Sequence, residues 1–223
     1  MISSVFFDLD GTLINSQEGI IKALQYMYEK VGIYHDEATL KTFIGPPLGE
    51  TFVKYDGVDP EDHEKIQEWI DIFREYYDDR GWRENNIYSG VEEMLENLKH
   101  QNVPVYIATS KPEKTAKRII TDLKLDRHLN DVFGAAELEN ERNAKKDVIT
   151  YGLNNLPHEF DKGNIAMVGD RKNDIEGGHY NNLRSMGVLY GYGDLKELEK
   201  AKSDWIVQNP LEISKIVHNE NRA

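Results

Sequence analysis

The chain has 223 residues, with 27 Lys and Arg against 40 Asp and Glu, a formal net charge of −13 and no cysteine. Without cysteine there is no disulfide framework, no thiolate zinc site, no Cys-ligated iron–sulfur cluster and no thiol nucleophile. The acidity argues against a general nucleic-acid binder, whose affinity comes largely from Lys and Arg on phosphates. The length allows one domain, or one domain with a smaller insert, and a chain of this size buries about 70% of its unfolded surface. No stretch approaches the roughly 18 apolar residues of a membrane helix. Met1-Ile2-Ser3-Ser4-Val5-Phe6-Phe7-Asp8 has no basic region, and its apolar run ends at an acid. It is not read as a signal peptide, and a cytoplasmic protein is expected.

In chain order, Val5-Phe6-Phe7 is a short apolar run that stops at Asp8-Leu9-Asp10-Gly11-Thr12, as a buried strand entering a loop does. Ile20, Ile21, Leu24, Met27, Tyr28 and Val31 recur at helical spacing over 17–31, and Gly32 is a natural stop. A second helical stretch follows Asp36 and ends near Gly45-Pro46-Pro47. Pro47 is placed to open a short helix up to Tyr55 as its first-turn proline. The longest helix is predicted over 60–79, with Ile66, Trp69, Ile70, Phe73, Tyr76 and Tyr77 on one side. Tyr28, Trp69, Tyr76 and Tyr77 are read as core. The region 17–79 carries no strand signal.

After Gly81 the pattern changes. A helix is predicted over 91–101, a strand over 103–109 and a helix over 112–125, where Ser110 and Glu113 have capping-box spacing. A weak strand at 132–135, a helix at 144–156 and the apolar strand Ile165-Ala166-Met167-Val168-Gly169 follow. A further helix, a strand over 186–190, a helix from Asp194 and a strand at Trp205-Ile206-Val207 complete the alternation. Repeated strand–helix–strand implies a parallel sheet covered on both faces, an α/β fold. The all-helical segment is then an insert, leaving just after strand one. The expected domains are a core of 1–15 and 83–223 and an inserted unit of 16–82.

Open α/β sheets bind ligands beyond the carboxyl ends of their strands. Strand one delivers Asp8 and Asp10 there, strand two Thr109, Ser110 and Lys111, and the later apolar strand Asp170, with Asp174 one turn on. Acids alone suggest a hard cation held by oxygens, and Mg²⁺ suits one or two carboxylates plus phosphate and water. A calcium loop counted from Asp8 fails, because its sixth and twelfth positions hold Leu13 and Gly19. Asp170-Arg171-Lys172 fails at its third position. No Walker-type loop and no paired His motif is present.

Asp8-Leu9-Asp10-Gly11-Thr12 resembles the first motif of the haloacid dehalogenase-like superfamily of phosphotransferases. Thr109-Ser110-Lys111-Pro112 resembles its second motif, Lys145 or Lys146 could serve as the third, and Gly169-Asp170-Arg171 through Asp174 resembles the fourth. The helical insert sits where that superfamily places a small cap. Ile44-Gly45-Pro46-Pro47-Leu48 and Gly191-Tyr192-Gly193 narrow the likeness to phosphoglycolate-phosphatase-like enzymes, although Ser89 and Gly178 replace that subgroup's usual Pro and Ala.

The resemblance implies a Rossmann-like three-layer core with an all-helical cap, and a Mg²⁺-dependent phosphatase of small phosphomonoesters. Both a 5′-nucleotidase and a phosphoglycolate phosphatase fit. It implies Asp8 as nucleophile forming an aspartyl-phosphate, Asp10 as general acid then base, Ser110 as donor to a phosphoryl oxygen, and Lys145, with Lys146 as rival, as the neutralising cation. Asp8, Asp10, Asp170 and Asp174 are the implied metal set, Asp174 through water or by orienting Asp170. Gly11, Thr109, Lys111, Pro47 and Leu48 are candidate substrate contacts. Lys111 is alternatively a solvated helix-start lysine, and Pro47-Leu48 alternatively a plain helix–helix turn. The expected partner is a small phosphorylated metabolite, with no nucleic-acid polymer and no membrane, acting on a monomer or weak homo-oligomer. A phosphosugar mutase shares the catalytic residues. A phosphorylation-dependent receiver domain or a non-catalytic descendant are the readings from other classes.

Overall fold

The computed structural model describes residues 1–136, 142–157 and 161–222. They divide into two compact units: Met1–Ile14 with Ile87–Ala223, and Asn15–Asn86. The elements in chain order are β1 (Ser4–Phe7), β2 (Ile14–Asn15), α1 (Gln17–Val31), α2 (Glu37–Lys41), α3 (Leu48–Asp56), α4 (His63–Tyr77) and β3 (Asn86–Ile87), with a 3₁₀ turn at Gly81–Arg83. There follow α5 (Val91–His100), β4 (Val105–Pro112), α6 (Glu113–Asp122), β5 (Asp131–Ala135), α7 (Lys145–Asn154), β6 (Ile165–Gly169), α8 (Lys172–Tyr180), β7 (Arg184–Val188), α9 (Leu195–Lys200), β8 (Trp205–Val207) and α10 (Pro210–Glu220). β2 and β3 form a separate two-stranded sheet.

The larger unit is built on a six-stranded sheet of order β5-β4-β1-β6-β7-β8, every neighbouring pair parallel. It is a Rossmann-like fold. The chain steps outward from β1 to β5 and then returns to β6 on the other side of β1. The crevice between β1 and β6 is therefore the topological switch point, where ligands of such sheets bind. β1 and β6 are buried at every position, as expected for strands covered on both faces. On one face, Phe6 stacks with Tyr106 at 5.2 Å and with Phe133 at 6.1 Å, beneath Val148 and Ile149 of α7. α8 packs beside α7, while α5 and α10 pack on each other.

β4 differs from the predicted strand. It starts at Val105, because Pro104 has no N–H to give a ladder. It runs on to Pro112, because Pro112 pairs with Ala135 of β5. Ser110 therefore lies in the strand, Pro112 is the cap position of α6, and the predicted Ser110–Glu113 capping box is absent. The Glu113 carboxylate instead accepts from the Gly134 N–H at 3.3 Å and pairs with Lys117 at 2.7 Å.

In the smaller unit α1 packs along α4. Gly32 ends α1 in the left-handed conformation, at φ 74°. Asp36 and Asp62 cap α2 and α4 by accepting from Thr39 and Lys65. The Asp62 cap starts α4 at His63 rather than at 60. Pro47 stands one place before the start of α3, which opens at Leu48. Tyr28, Trp69 and Tyr77 are buried, whereas Tyr76 is half-buried beneath Arg80. The unit extends to Asn86 rather than 82. The Gly81–Arg83 turn packs on α1, the Glu84 carbonyl accepts from Gly19 N–H at 3.1 Å, and Lys22 pairs with the Glu84 carboxylate at 2.7 Å.

Because Phe6 is fully buried and stacks on both other rings of the trio, Phe6→Ala is expected to cost about 3–5 kcal/mol. Urea unfolding of both chains measures this as a lower midpoint at unchanged slope.

Candidate active site

The carboxyl ends of β1, β4 and β6 deliver the charged groups of the site. Asp8 follows β1 directly, and its N–H donates to the Val168 carbonyl at 2.8 Å, which fixes it against β6. The chain then turns tightly, the Leu9 carbonyl accepting from Leu13 and Ile14 N–H groups at 3.0 and 3.1 Å. Gly11 sits in this turn at φ 82°, where a Cβ would stand 2.2 Å from an Asp170 carboxylate oxygen. Both the backbone conformation and the close approach require glycine.

Lys145 opens α7 and is 6% exposed. Its Nζ lies 2.6 Å from Asp8 Oδ1 and 2.9 Å from Asp174 Oδ1, and donates to the Ala108 carbonyl at 2.9 Å. Lys146 points elsewhere, its Nζ 5.0 Å from the centre of the Tyr180 ring. The geometry thus brings Lys145, not Lys146, to the acids. Asp174, in the first turn of α8, accepts from Arg171 N–H through Oδ2 at 3.0 Å. Asp170, at the end of β6, is fully buried, and its Oδ2 accepts from Tyr192 N–H at 2.7 Å. Asp8, Asp170 and Asp174 each offer an oxygen within 4.8 Å of one another. The Asp10 side chain stands outside that group and pairs with Lys111 Nζ at 3.2 Å.

Lys111 is only 7% exposed at its side chain, so it is a buried cation and not a solvated lysine at a helix start. Thr109 Oγ1 accepts from the Lys111 N–H at 3.2 Å and holds that turn. Ser110 lies half-buried at the end of β4. Pro47 and Leu48 belong to the helical unit, where the Pro47 carbonyl accepts from Thr51 N–H at 3.2 Å. Sequence reasoning missed the tyrosines. Tyr190 donates to the Thr12 carbonyl at 3.1 Å, and the Tyr88 ring meets Tyr190 edge-on at 5.2 Å. The only sequence signal for Tyr190 is the aromatic–glycine alternation at 190–193 that follows a strand, and Tyr88 has none.

Burial pushes the Asp8 carboxyl up to about 7, although Lys145 pulls it down; Asp174 and Asp10 add to the rise. Burial, with Asp174 and Asp8, also holds Asp170 well above the ordinary carboxylate range. Burial alone would lower Lys145, but Asp174 and Asp8 outweigh it and hold the ammonium above its usual value. Fully ionised, the four acids would face only two ammonium groups. The difference is the charge of one divalent cation. The buried Oδ1 of Asp170 has no hydrogen-bond partner among the described residues, a cost that a bound cation removes. The donor set is all oxygen, as Mg²⁺ prefers.

A sheet edge of this kind, with paired acids, a buried lysine and an all-oxygen acid cluster able to hold a cation at the switch point, has the makings of a phosphoryl-transfer enzyme. The chain belongs to the haloacid dehalogenase-like hydrolase family, whose model matches residues 5–188. It is 35% identical over 196 residues to a 5′-nucleotidase of Pseudomonas aeruginosa, covering 87% of this chain and 86% of that one. A crystal structure of a predicted phosphatase from Clostridium acetobutylicum superposes with a TM-score of 0.90 at 35% identity, covering 98% of this chain and 100% of that one. A predicted phosphoglycolate phosphatase from Haemophilus somnus superposes at 0.81 with 25% identity, covering 96% and 97%. The chain is an enzyme of the phosphoric monoester hydrolase class. No described helix is long and apolar enough to cross a membrane.

Asp8 binds its proton more tightly in the folded chain, at about 7 against an ordinary 3.8. The folded state then holds more protons than the unfolded state between these values, so stability falls as pH rises across that window. In chelator, the melting temperature is expected to drop between about pH 4 and about pH 7, and Asp8→Asn is expected to flatten the drop. Calorimetry of both chains checks this, and equal slopes would remove Asp8 as its source.

Proposed function

We propose that the chain is a Mg²⁺-dependent phosphatase that hydrolyses small phosphomonoesters through an aspartyl-phosphate on Asp8. The observation that carries this reading is the buried Asp8 at the switch point, ion-paired to Lys145 at 2.6 Å and within 4.8 Å of an Asp170 oxygen. A carboxylate is a nucleophile that needs no thiol, in a chain that has none.

In the first half-reaction an Asp8 carboxylate oxygen forms a bond to phosphorus while the ester P–O bond breaks. Asp10, entering this step in its protonated form, gives its proton to the departing alkoxide oxygen. In the second half, water attacks the same phosphorus, Asp10 takes its proton, and the bond to Asp8 breaks to release phosphate. Lys145 balances the charge of Asp8 before the attack and of the phosphoryl oxygens after it. Ser110 donates to a phosphoryl oxygen, and Thr109 and Lys111 shape the turn that presents it. Bound Mg²⁺, held by Asp8, Asp170 and Asp174 with Asp10 alongside, supplies charge stabilisation to the phosphoryl group. Substrate choice is assigned to the inserted helical unit acting as a cap, with Pro47 and Leu48 as its candidate contacts.

The supported substrate class is a small phosphomonoester, a nucleoside 5′-monophosphate or phosphoglycolate. A phosphate-release screen over nucleotides, sugar phosphates and phosphoglycolate tests the reading. Chelation is expected to abolish release and Mg²⁺ to restore it, and Asp8→Asn is expected to lower kcat on the order of 10³-fold or more with the fold intact. Undiminished turnover by Asp8→Asn, or no release from any of the substrates, would overturn it.

A further inference from the structure

The segment 190–193, between β7 and α9, makes a set of contacts that the proposed chemistry does not use. Tyr192 N–H donates to Asp170 Oδ2 at 2.7 Å. The backbones on either side of Tyr192 press on the same residue. A Cβ on Gly191 would stand 2.4 Å from Asp170 Cβ and 2.6 Å from its Oδ2, and one on Gly193 would stand 2.0 Å from the Asp170 carbonyl oxygen. A Cβ on Gly11, in the turn after β1, would stand 2.2 Å from Oδ2 and 2.8 Å from Oδ1. The segment is itself anchored, since Tyr190 donates its hydroxyl to the Thr12 carbonyl at 3.1 Å and packs against Tyr88. Burial, helped by the Asp170 charge, pushes the Tyr88 phenol up to about 12, which agrees with its place beside the acids.

These contacts treat the two oxygens of Asp170 differently. Oδ2 accepts from Tyr192 N–H and is approached by Gly191, while Oδ1 is buried without a hydrogen-bond partner among the described residues. We propose that 190–193 is a positioning strap that pins Asp170 Oδ2 and offers Oδ1 alone to the cation, and so sets a preference for Mg²⁺ over Ca²⁺. Ca²⁺ takes six to eight oxygens and readily accepts both oxygens of one carboxylate, whereas Mg²⁺ demands near-octahedral geometry from few protein oxygens. A carboxylate held to one oxygen withholds from Ca²⁺ the second ligand that Mg²⁺ does not need. The proposal rests on the cation reading of the acid cluster given above.

The test is calorimetric titration of the full chain with MgCl₂ alone and with CaCl₂ alone, for wild type, Tyr192→Pro and Tyr190→Phe, with circular dichroism of each. Tyr192→Pro removes the N–H that pins Oδ2. Tyr190→Phe keeps the ring and removes only the anchor to Thr12, so it carries the test where the proline variant does not fold. Wild type is expected to bind Mg²⁺ more tightly than Ca²⁺. Tyr192→Pro is expected to cut that preference about 10-fold or more, as loss of groups orienting a ligand does. Tyr190→Phe is expected to cut it about two- to tenfold. Folded variants that keep the wild-type ratio of the two affinities, including variants that weaken both cations equally, overturn the strap while leaving the cation site standing. A wild type that binds neither cation overturns both.

Discussion

A single buried ammonium group holds the working edge of the sheet together. Lys145 Nζ touches the Ala108 carbonyl of β4, Asp8 beyond β1 and Asp174 of α8. Removing a charge from water costs several kcal/mol, and the cost is recovered only when partners are close and well oriented. Here each group meets the need of another. The lysine is affordable because two carboxylates flank it, and the carboxylates can ionise because the lysine lies between them. Deleting one partner of such a set leaves an uncompensated buried charge, which costs about 3–5 kcal/mol. The second pair, Lys111 with Asp10, repeats the arrangement at the end of β4. With all four acids ionised the two lysines would leave two negative charges unbalanced, and this excess suits the edge to holding a cation rather than closing as a self-contained salt-bridge network.

The helical unit meets a similar problem differently. Asp56 at the end of α3 has a side chain only 1% exposed, yet no lysine approaches it at ion-pair distance among the described residues. Tyr28 donates to one carboxylate oxygen at 2.7 Å, and His35 Nε2 lies 2.6 Å from the other. The rings that surround this triad, Phe43, Phe52 and Trp69, seal it. Both oxygens have partners, so the triad is a structural clasp, in contrast to the open Oδ1 of Asp170.

The sheet was readable in the sequence because Val5-Phe6-Phe7 and Ile165–Gly169 are continuous apolar runs that end in acids, a local pattern that survives without tertiary information. Asp8, Asp10, Asp170 and Asp174 follow from those ends. Four things were not readable. Lys145 and Lys146 are neighbours at a helix start, and only the packing of α7 turns one toward the strand ends and the other over Tyr180. The extension of β4 through Ser110 to Pro112 comes from pairing with Ala135, a contact remote in sequence that outweighs a local capping signal. The burial of Lys111 likewise depends on Asp10, which comes from another strand. Tyr88 and Tyr190 meet only after the chain has folded, so neither marks itself as part of the site.

β1 leads directly into Asp8 and sits at the centre of the sheet, but none of its partners is near in sequence. Its ladder to β4 spans about 100 residues and its ladder to β6 about 160. Long closures must lose chain entropy before any strand pairing rewards them, so this strand is expected to dock late and the sheet to form slowly. The helical unit, by contrast, is one continuous segment with its own core. On the ribosome it can collapse while β1 still waits for β6 to be made. Asp8, the proposed nucleophile, therefore belongs to the last-assembled part of the fold, and recovered turnover during refolding would report the final docking step rather than the first.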